Sequence, residues 1–378
     1  MKHLACLSLF IATLASAQSP QPDKVVSHRD LIYVEGGHER HKLDLYLPSG
    51  DHGPLPLLIW VHGGGWQNGS KDGAPPLRAG YLEKGYAVAS INYRLSSHAV
   101  FPAQIEDCKA AIRWLRAHAE QYGLDPKRFG VWGSSAGGHL VALIGTSGGV
   151  KEFDVGANLD QSSSVQAVCD YYGPTDFKVF VSTPGYERHA AADSPEAKLL
   201  GGAVLQNKDK AARVNSITYV TPDDPPFLIV HGDKDGTVPI NQSQLLFEAL
   251  TKAKVSAHFH TIHGVGHGGP GFAGSDINDM VAKFFEVHLK STSTTVEALS
   301  TESTADPEML ARDPRSARPA PGGAQRGIPW AVIAQRDDKN NDGKVTQEEF
   351  SGPAPLFQRL DTNADGVLTP EDRAPAAK

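Results

Sequence analysis

With 378 residues, 40% of them hydrophobic and 21% charged, the chain can bury a large core and has room for about two folded units. A formal net charge of −7 with no basic stripe to offset it excludes a nucleic-acid backbone as partner. The 16 histidines are scattered, so most are expected to carry no chemistry.

Lys2 and His3 precede a largely apolar run from Leu4 to Leu14, and Ala15-Ser16-Ala17 offers a small-x-small cleavage site. Residues 1–17 therefore read as a secretory signal, and the protein as exported to the periplasm or the exterior of a bacterial cell. The run is too short to span a bilayer, and no later segment predicts a transmembrane helix. Cys6 lies too early for lipid attachment. Cys108 and Cys169 then remain, expected as small buried hydrophobes rather than a disulfide.

Residues 18–26 read as an unstructured tail. Leu31-Ile32-Tyr33-Val34 and the alternating stretch 42–47 flank Gly36-Gly37, which predicts an antiparallel pair at a sheet edge. The unbroken apolar run 57–61 suits a central strand covered on both faces, and 86–93 predicts the next. Ile105, Cys108, Ile112 and Leu115 recur at helical spacing, predicting a helix over about 102–121 that Gly123 ends. Further strands are expected at 129–132, 165–172, 227–230 and 257–262, with helices after Gly137 and over 240–251 and 276–289. Between about 174 and 225 periodicity fails, and short helical pieces at 195–200 and 208–214 suggest a lid inserted after a strand. Strands alternating with helices over some 260 residues predict a doubly wound, mostly parallel sheet. Residues 291–327, rich in Ser, Thr, Ala and Pro, read as a disordered linker, and 328–378 as a second small module.

Gly133-Ser134-Ser135-Ala136-Gly137 ends the apolar run at 129–132 and opens a small-residue helix. In this Gly-x-Ser-x-Gly pattern only Ser135 has glycine two residues away on both sides, which makes it the candidate nucleophile on a sharp strand-to-helix turn. His62-Gly63-Gly64-Gly65-Trp66 follows the central strand, and a glycine run lets backbone N–H groups face a developing oxyanion. Gly64, Gly65 and Ala136 are assigned as those donors. Trp66 is a candidate wall of the substrate pocket, with packing beneath the lid as the alternative. An acid that would orient an imidazole is expected after the strand at 227–230, where Asp233 and Asp235 compete. His267, between glycines after the last strand, is the candidate base, ahead of His263. Arg94 and Asp107 are expected to form an internal ion pair without a catalytic part.

These stretches resemble, in order, an α/β-hydrolase serine esterase of the hormone-sensitive-lipase-like group, and most closely the BD-FAE branch of carboxylesterases and feruloyl or acetyl-xylan esterase-like enzymes. Asn92-Tyr93-Arg94-Leu95, residues 101–107, Tyr172-Gly173-Pro174-Thr175-Asp176, residues 225–233 and Gly266-His267-Gly268 add to the motifs above. The resemblance covers residues 27–290. It implies an α/β-hydrolase fold and puts the acid at the second aspartate of the His-Gly-Asp-x-Asp pattern, Asp235. It also implies an acyl-enzyme mechanism on acetyl, feruloyl or short-chain acyl esters, without a catalytic cofactor. A peptidase of the prolyl-oligopeptidase type shares sheet and triad, but no propeller precedes this domain. A calcium-dependent adhesion protein with an inert hydrolase scaffold is the rival from another class.

Two twelve-residue stretches carry the oxygen-ligand spacing of EF-hand loops. The first offers Asp338, Asn340, Asp342, Thr346 and Glu349, with the Lys344 carbonyl at position 7. The second offers Asp361, Asn363, Asp365, Thr369 and Asp372, with the Val367 carbonyl. Calcium is the expected ligand, in a structural rather than a sensing capacity. Val345 and Leu368 should pair across a short two-stranded link that buries Phe350, Leu356, Phe357 and Leu360.

Overall fold

The computed structural model describes residues 25–50, 52–290, 342, 344–350, 361 and 365–369. Contacts divide the chain into two units, Met1–Ala317 and Arg318–Lys378, a boundary that falls within the expected linker. The signal, the tail up to residue 24 and the linker lie outside the described residues. Among the described residues no helix is long and apolar enough to cross a membrane.

The first unit is built on eight strands: β1 (Val26–Ile32), β2 (Lys42–Leu47), β3 (Leu55–Val61), β4 (Ala87–Ile91), β5 (Leu124–Ser134), β6 (Ala167–Tyr171), β7 (Phe227–Gly232) and β8 (Ala257–Ile262). They run in the order β1-β2-β4-β3-β5-β6-β7-β8. The β1–β2 and β2–β4 pairs are antiparallel, and every pair from β4 through β3 to β8 is parallel. The predicted antiparallel edge and parallel body are both present. β1 begins at Val26, so the expected tail is one residue too long. An edge strand whose residues mostly face water gives no apolar alternation to read.

All seven residues of β3 are buried, because they alternate between two layers. Leu57, Ile59 and Val61 join the layer packed by α2 (Ala103–Ala117), α3 (Ala136–Thr146) and α7 (Asn241–Lys252). Leu58 and Trp60 join the layer packed by α8 (Ser275–Leu289), beside α1 (Pro75–Arg78). Fully burying one such aliphatic side chain is worth about 1.5–3 kcal/mol, so this strand anchors both layers. α2 ends four residues before the expected limit. His118–Tyr122 tighten into turns, Gly123 takes φ +63°, and the chain feeds directly into β5. Cys108 and Cys169 are buried and unpaired, as expected.

Between β6 and β7 the insertion folds as three short helices, α4 (Phe177–Ser182), α5 (Pro195–Leu200) and α6 (Lys208–Val214), joined by 3₁₀ turns. α5 and α6 match the expected segments. α4, too short to show a period, is an addition, capped by Asp176 accepting from the Val179 N–H at 3.0 Å.

In the second unit, β9 (Val345–Thr346) pairs antiparallel with β10 (Val367–Leu368), placing Val345 opposite Leu368. Phe350 is buried as expected. Leu356, Phe357 and Leu360 lie outside the described residues.

Candidate active site

Strand β5 delivers Ser135 to the C-terminal edge of the sheet, and α3 starts at the next residue. The Ser135 backbone sits at φ +56°, ψ −121°, a conformation disfavoured for a residue with a side chain. The surrounding glycines make it possible. A Cβ on Gly133 would lie 2.4 Å from the Gly137 carbonyl oxygen, and one on Gly137 would lie 2.1 Å from the Val61 oxygen. The turn is therefore clamped between the end of β3 and the start of α3.

His267, on the loop after β8, faces this serine with Nε2 2.9 Å from Ser135 Oγ. Its Nδ1–H donates to Asp235 Oδ2 at 2.7 Å. A carboxylate has no proton to give, so the contact fixes the tautomer and leaves the Nε2 lone pair toward the hydroxyl. Asp235 is itself oriented by the N–H groups of Thr237 (2.7 Å) and Val238 (2.9 Å), which both donate to Oδ1. Buried His231 approaches Oδ2 at 3.2 Å. Burial alone would raise the Asp235 carboxyl, but hydrogen bonds from His231 and His267 outweigh it and hold the group well below the usual carboxylate range. The competing pair sits apart: Asp233 accepts from His263 Nδ1 (3.1 Å) and the Gly264 N–H (2.7 Å), and the His263 side chain is 70% exposed.

Opposite the serine, Gly64 takes φ +111°, where an added Cβ would also stand 2.4 Å from the Asn68 carbonyl oxygen, and Gly65 takes φ +59°, a region that favours glycine. Gly63 packs so closely that an added Cβ would stand 2.6 Å from the Ser134 carbonyl oxygen. Gly64, Gly65 and Ala136 line one cavity of about 360 Å³ together with Ser135 and His267. The glycine loop is pinned from behind by a residue with no motif to announce it. Arg40 donates to the carbonyls of Tyr93 (2.7 Å) and Gly69 (2.9 Å), and its Nη2 stands 3.1 Å from His62 Nε2. His62 stacks on Tyr93, and burial lowers its imidazole to about 4, which keeps it neutral beside the guanidinium.

Trp66 lines the cavity, yet it is almost fully buried. Its indole N–H donates to His139 Nδ1 at 3.3 Å, and its ring packs on Phe177 of α4. Tyr172 lines the same cavity and meets the His267 ring edge-on at 4.7 Å; burial raises its phenol to about 12. His189 and Glu196, from the lid, complete the wall. Arg94 and Asp107 form the expected ion pair at 2.7 Å, shared with His41 at 3.0 Å, away from the serine.

In the family comparison, the model described as BD-FAE matches residues 43–250. The chain belongs to the BD-FAE family. Among curated relatives, the chain is 33% identical over 230 residues to a probable carboxylic ester hydrolase, LipM, of Mycobacterium tuberculosis, covering 58% of this chain and 51% of that one. The chain thus spans about half the length of the curated relatives it matches. A truncated carbohydrate esterase from gut microbiota is 34% identical with a TM-score of 0.64, over 72% of this chain and 100% of that one. An acetyl ester-xyloside bifunctional hydrolase from Caldicellulosiruptor lactoaceticus is 27% identical with a TM-score of 0.53, over 65% of this chain and 87% of that one.

The second unit matches the EF hand model at residues 338–351 and 354–372. Asp361 Oδ1 accepts from the Asp365 N–H (3.1 Å) and Oδ2 from the Gly366 N–H (2.9 Å), with Gly366 at φ +86°. Asp365 Oδ1 accepts from Val367 N–H at 3.0 Å, and Asp342 Oδ1 from Lys344 N–H at 2.9 Å. Thr346 donates its N–H (3.0 Å) and hydroxyl (2.9 Å) to Glu349 Oε2. Asp361 and Asp365 thus serve one turn through Gly366, and oxygen side chains of this kind suit a hard cation. Asp338, Asn340, Asn363 and Asp372 lie outside the described residues; Thr369 lies among them.

Proposed function

We propose that residues 27–290 form an exported serine esterase that cleaves short acyl esters, acetyl foremost, from carbohydrate alcohols. The observation that carries this reading is the series Asp235–His267–Ser135, joined at 2.7 and 2.9 Å on a strained turn beside the glycine loop. His267 Nε2 takes the hydroxyl proton as Ser135 Oγ bonds to the ester carbon, and the carbonyl electron pair moves onto oxygen. The backbone N–H groups of Gly64, Gly65 and Ala136 receive that oxyanion, each such donor being worth about 10²–10³ in rate. Collapse breaks the bond to the alkoxy oxygen, and the alcohol leaves with the proton from His267. Water, deprotonated by the same imidazole, then releases the acid and restores Ser135. The carbohydrate esterase and acetyl ester-xyloside hydrolase among the similar structures favour a sugar alcohol. Cleavage of p-nitrophenyl acetate should fall by about 10⁴–10⁶ in Ser135→Ala. Turnover equal to the unaltered chain would end this reading.

The second unit is proposed to hold calcium through Asp338, Asn340, Asp342, Thr346 and Glu349 in one loop and Asp361, Asn363, Asp365, Thr369 and Asp372 in the other. The carbonyls of Lys344 and Val367 complete the two sets. Bound metal would neutralise the clustered carboxylates and stabilise the β9–β10 link.

A further inference from the structure

The cavity over Ser135 is walled largely by carbon, with Trp66, Pro174, Phe180, Pro195 and Val238 around it. A carboxylate–imidazole pair outside the triad stands in that wall. His189 Nδ1 lies 3.0 Å from both oxygens of Glu196, and each residue is at least nine-tenths buried. His189 Nε2 is buried with no hydrogen-bond partner. Burying two polar groups beside a plain acyl chain is unfavourable, and leaving one nitrogen unsatisfied makes it more so, unless a ligand supplies the missing contact.

The chain builds this pair deliberately. Ser194 Oγ accepts from the Ala197 N–H at 3.1 Å and fixes the first turn of α5, which carries Glu196. Pro195 lies against the glycine loop, 3.4 Å from where a Gly65 Cβ would stand. Phe180 of α4 packs on the His189 ring with centroids 4.5 Å apart. The pair is thus held in the cavity wall on the side of the glycine loop.

We propose that His189, held by Glu196, recognises a free hydroxyl of the alcohol next to the scissile ester, which selects partly acylated sugars over simple alkyl or aryl esters. With Nδ1–H committed to Glu196, a neutral imidazole offers a lone pair at Nε2, and an imidazolium offers an N–H. A hydroxyl satisfies either form, because it both donates and accepts. An alkyl or nitrophenyl leaving group satisfies neither. This inference rests on the esterase reading above and names the substrate feature that its pocket would select.

The test compares two acetates in the full chain: a monoacetylated methyl xyloside and p-nitrophenyl acetate. The ratio of their kcat/KM values should fall about tenfold or more in His189→Phe, the size of one lost hydrogen bond at a desolvated site. A ratio within twofold of the unaltered chain would overturn the proposal. Should His189→Phe lose its cooperative melting transition, Glu196→Gln is read by the same ratio and the same limit. Calorimetric titration with xylobiose is the arm that needs no turnover. Binding that weakens at least tenfold in the variant supports the proposal, whereas equal binding, or none by the unaltered chain, overturns it. If the unaltered chain cleaves neither acetate, the esterase reading fails and the titration alone decides this one.

Discussion

Replacing Asp235 by Asn tests the orientation of the base at a single atom. Oδ1 of Asp235 takes two backbone N–H groups, from Thr237 and Val238, while Oδ2 faces His267 Nδ1 at 2.7 Å and His231 Nε2 at 3.2 Å. An amide has only one oxygen, and two fixed donors claim it, so the NH₂ group must face the imidazoles. Presented with a donor, His267 adopts the tautomer with its lone pair at Nδ1 and a hydrogen at Nε2, aimed at Ser135 Oγ. Such a ring cannot take the serine proton. The expected loss in kcat/KM for p-nitrophenyl acetate is about 10⁴, equivalent to about 5.5 kcal/mol of transition-state stabilisation. Circular dichroism should show the chain still folded, because the backbone turn keeps its acceptor. Asp233→Asn is the control, and its activity should stay within a few-fold. Retention of a tenth of the activity by Asp235→Asn, or an equal loss in Asp233→Asn, would refute this reasoning.

Other expectations follow from particular contacts. Gly137→Ala would force a Cβ to 2.1 Å from the Val61 oxygen and should destabilise by about 3 kcal/mol or more in urea unfolding, whereas Gly236→Ala meets nothing within 4 Å and should be near neutral. Arg94→Met strips the buried Asp107 carboxylate of its guanidinium partner at 2.7 Å and should cost about 3 kcal/mol, read by the same method. Burial lowers the imidazoles of both His62 and His139 from 6.5 to about 4. The unfolded chain therefore binds protons first, and stability should fall as pH drops from about 6.5 to about 4, by about 3 kcal/mol for each. Denaturant titrations across that window check it; a flat profile would contradict it. Calorimetric titration of the full chain with calcium should find two sites, and Glu349→Gln should weaken one at least tenfold; no heat in the unaltered chain would remove the metal assignment.

The parts of the fold that were legible are those where burial imposes a pattern. β8 spans the predicted residues because alternate positions are buried, and α5 and α6 lie where Pro and Asn punctuate the insertion. The start of β1 is not legible because an exposed edge leaves no such signal. Ser135, His267 and the glycine loop were legible because a strained turn and close backbone approach demand glycine at fixed spacings. The choice of Asp235 over Asp233 came from family resemblance; in the fold it follows from which carboxylate the Thr237 and Val238 amides turn inward. Arg40, His189 and Glu196 carried no local signal. Their contacts span loops whose approach is decided by packing, such as Arg40 to Gly69 and Pro195 to Gly65, rather than by any period along the chain.

Ester cleavage by this site requires Ser135 to be a nucleophile driven by His267. Treatment with a nitrophenyl phosphonate followed by peptide mass spectrometry measures this directly. The phosphonyl group should appear on Ser135 in parallel with loss of ester cleavage, be absent in Ser135→Ala, and form orders of magnitude more slowly in His267→Ala. Adduct on Ser134 instead, or undiminished labelling in His267→Ala, would contradict it.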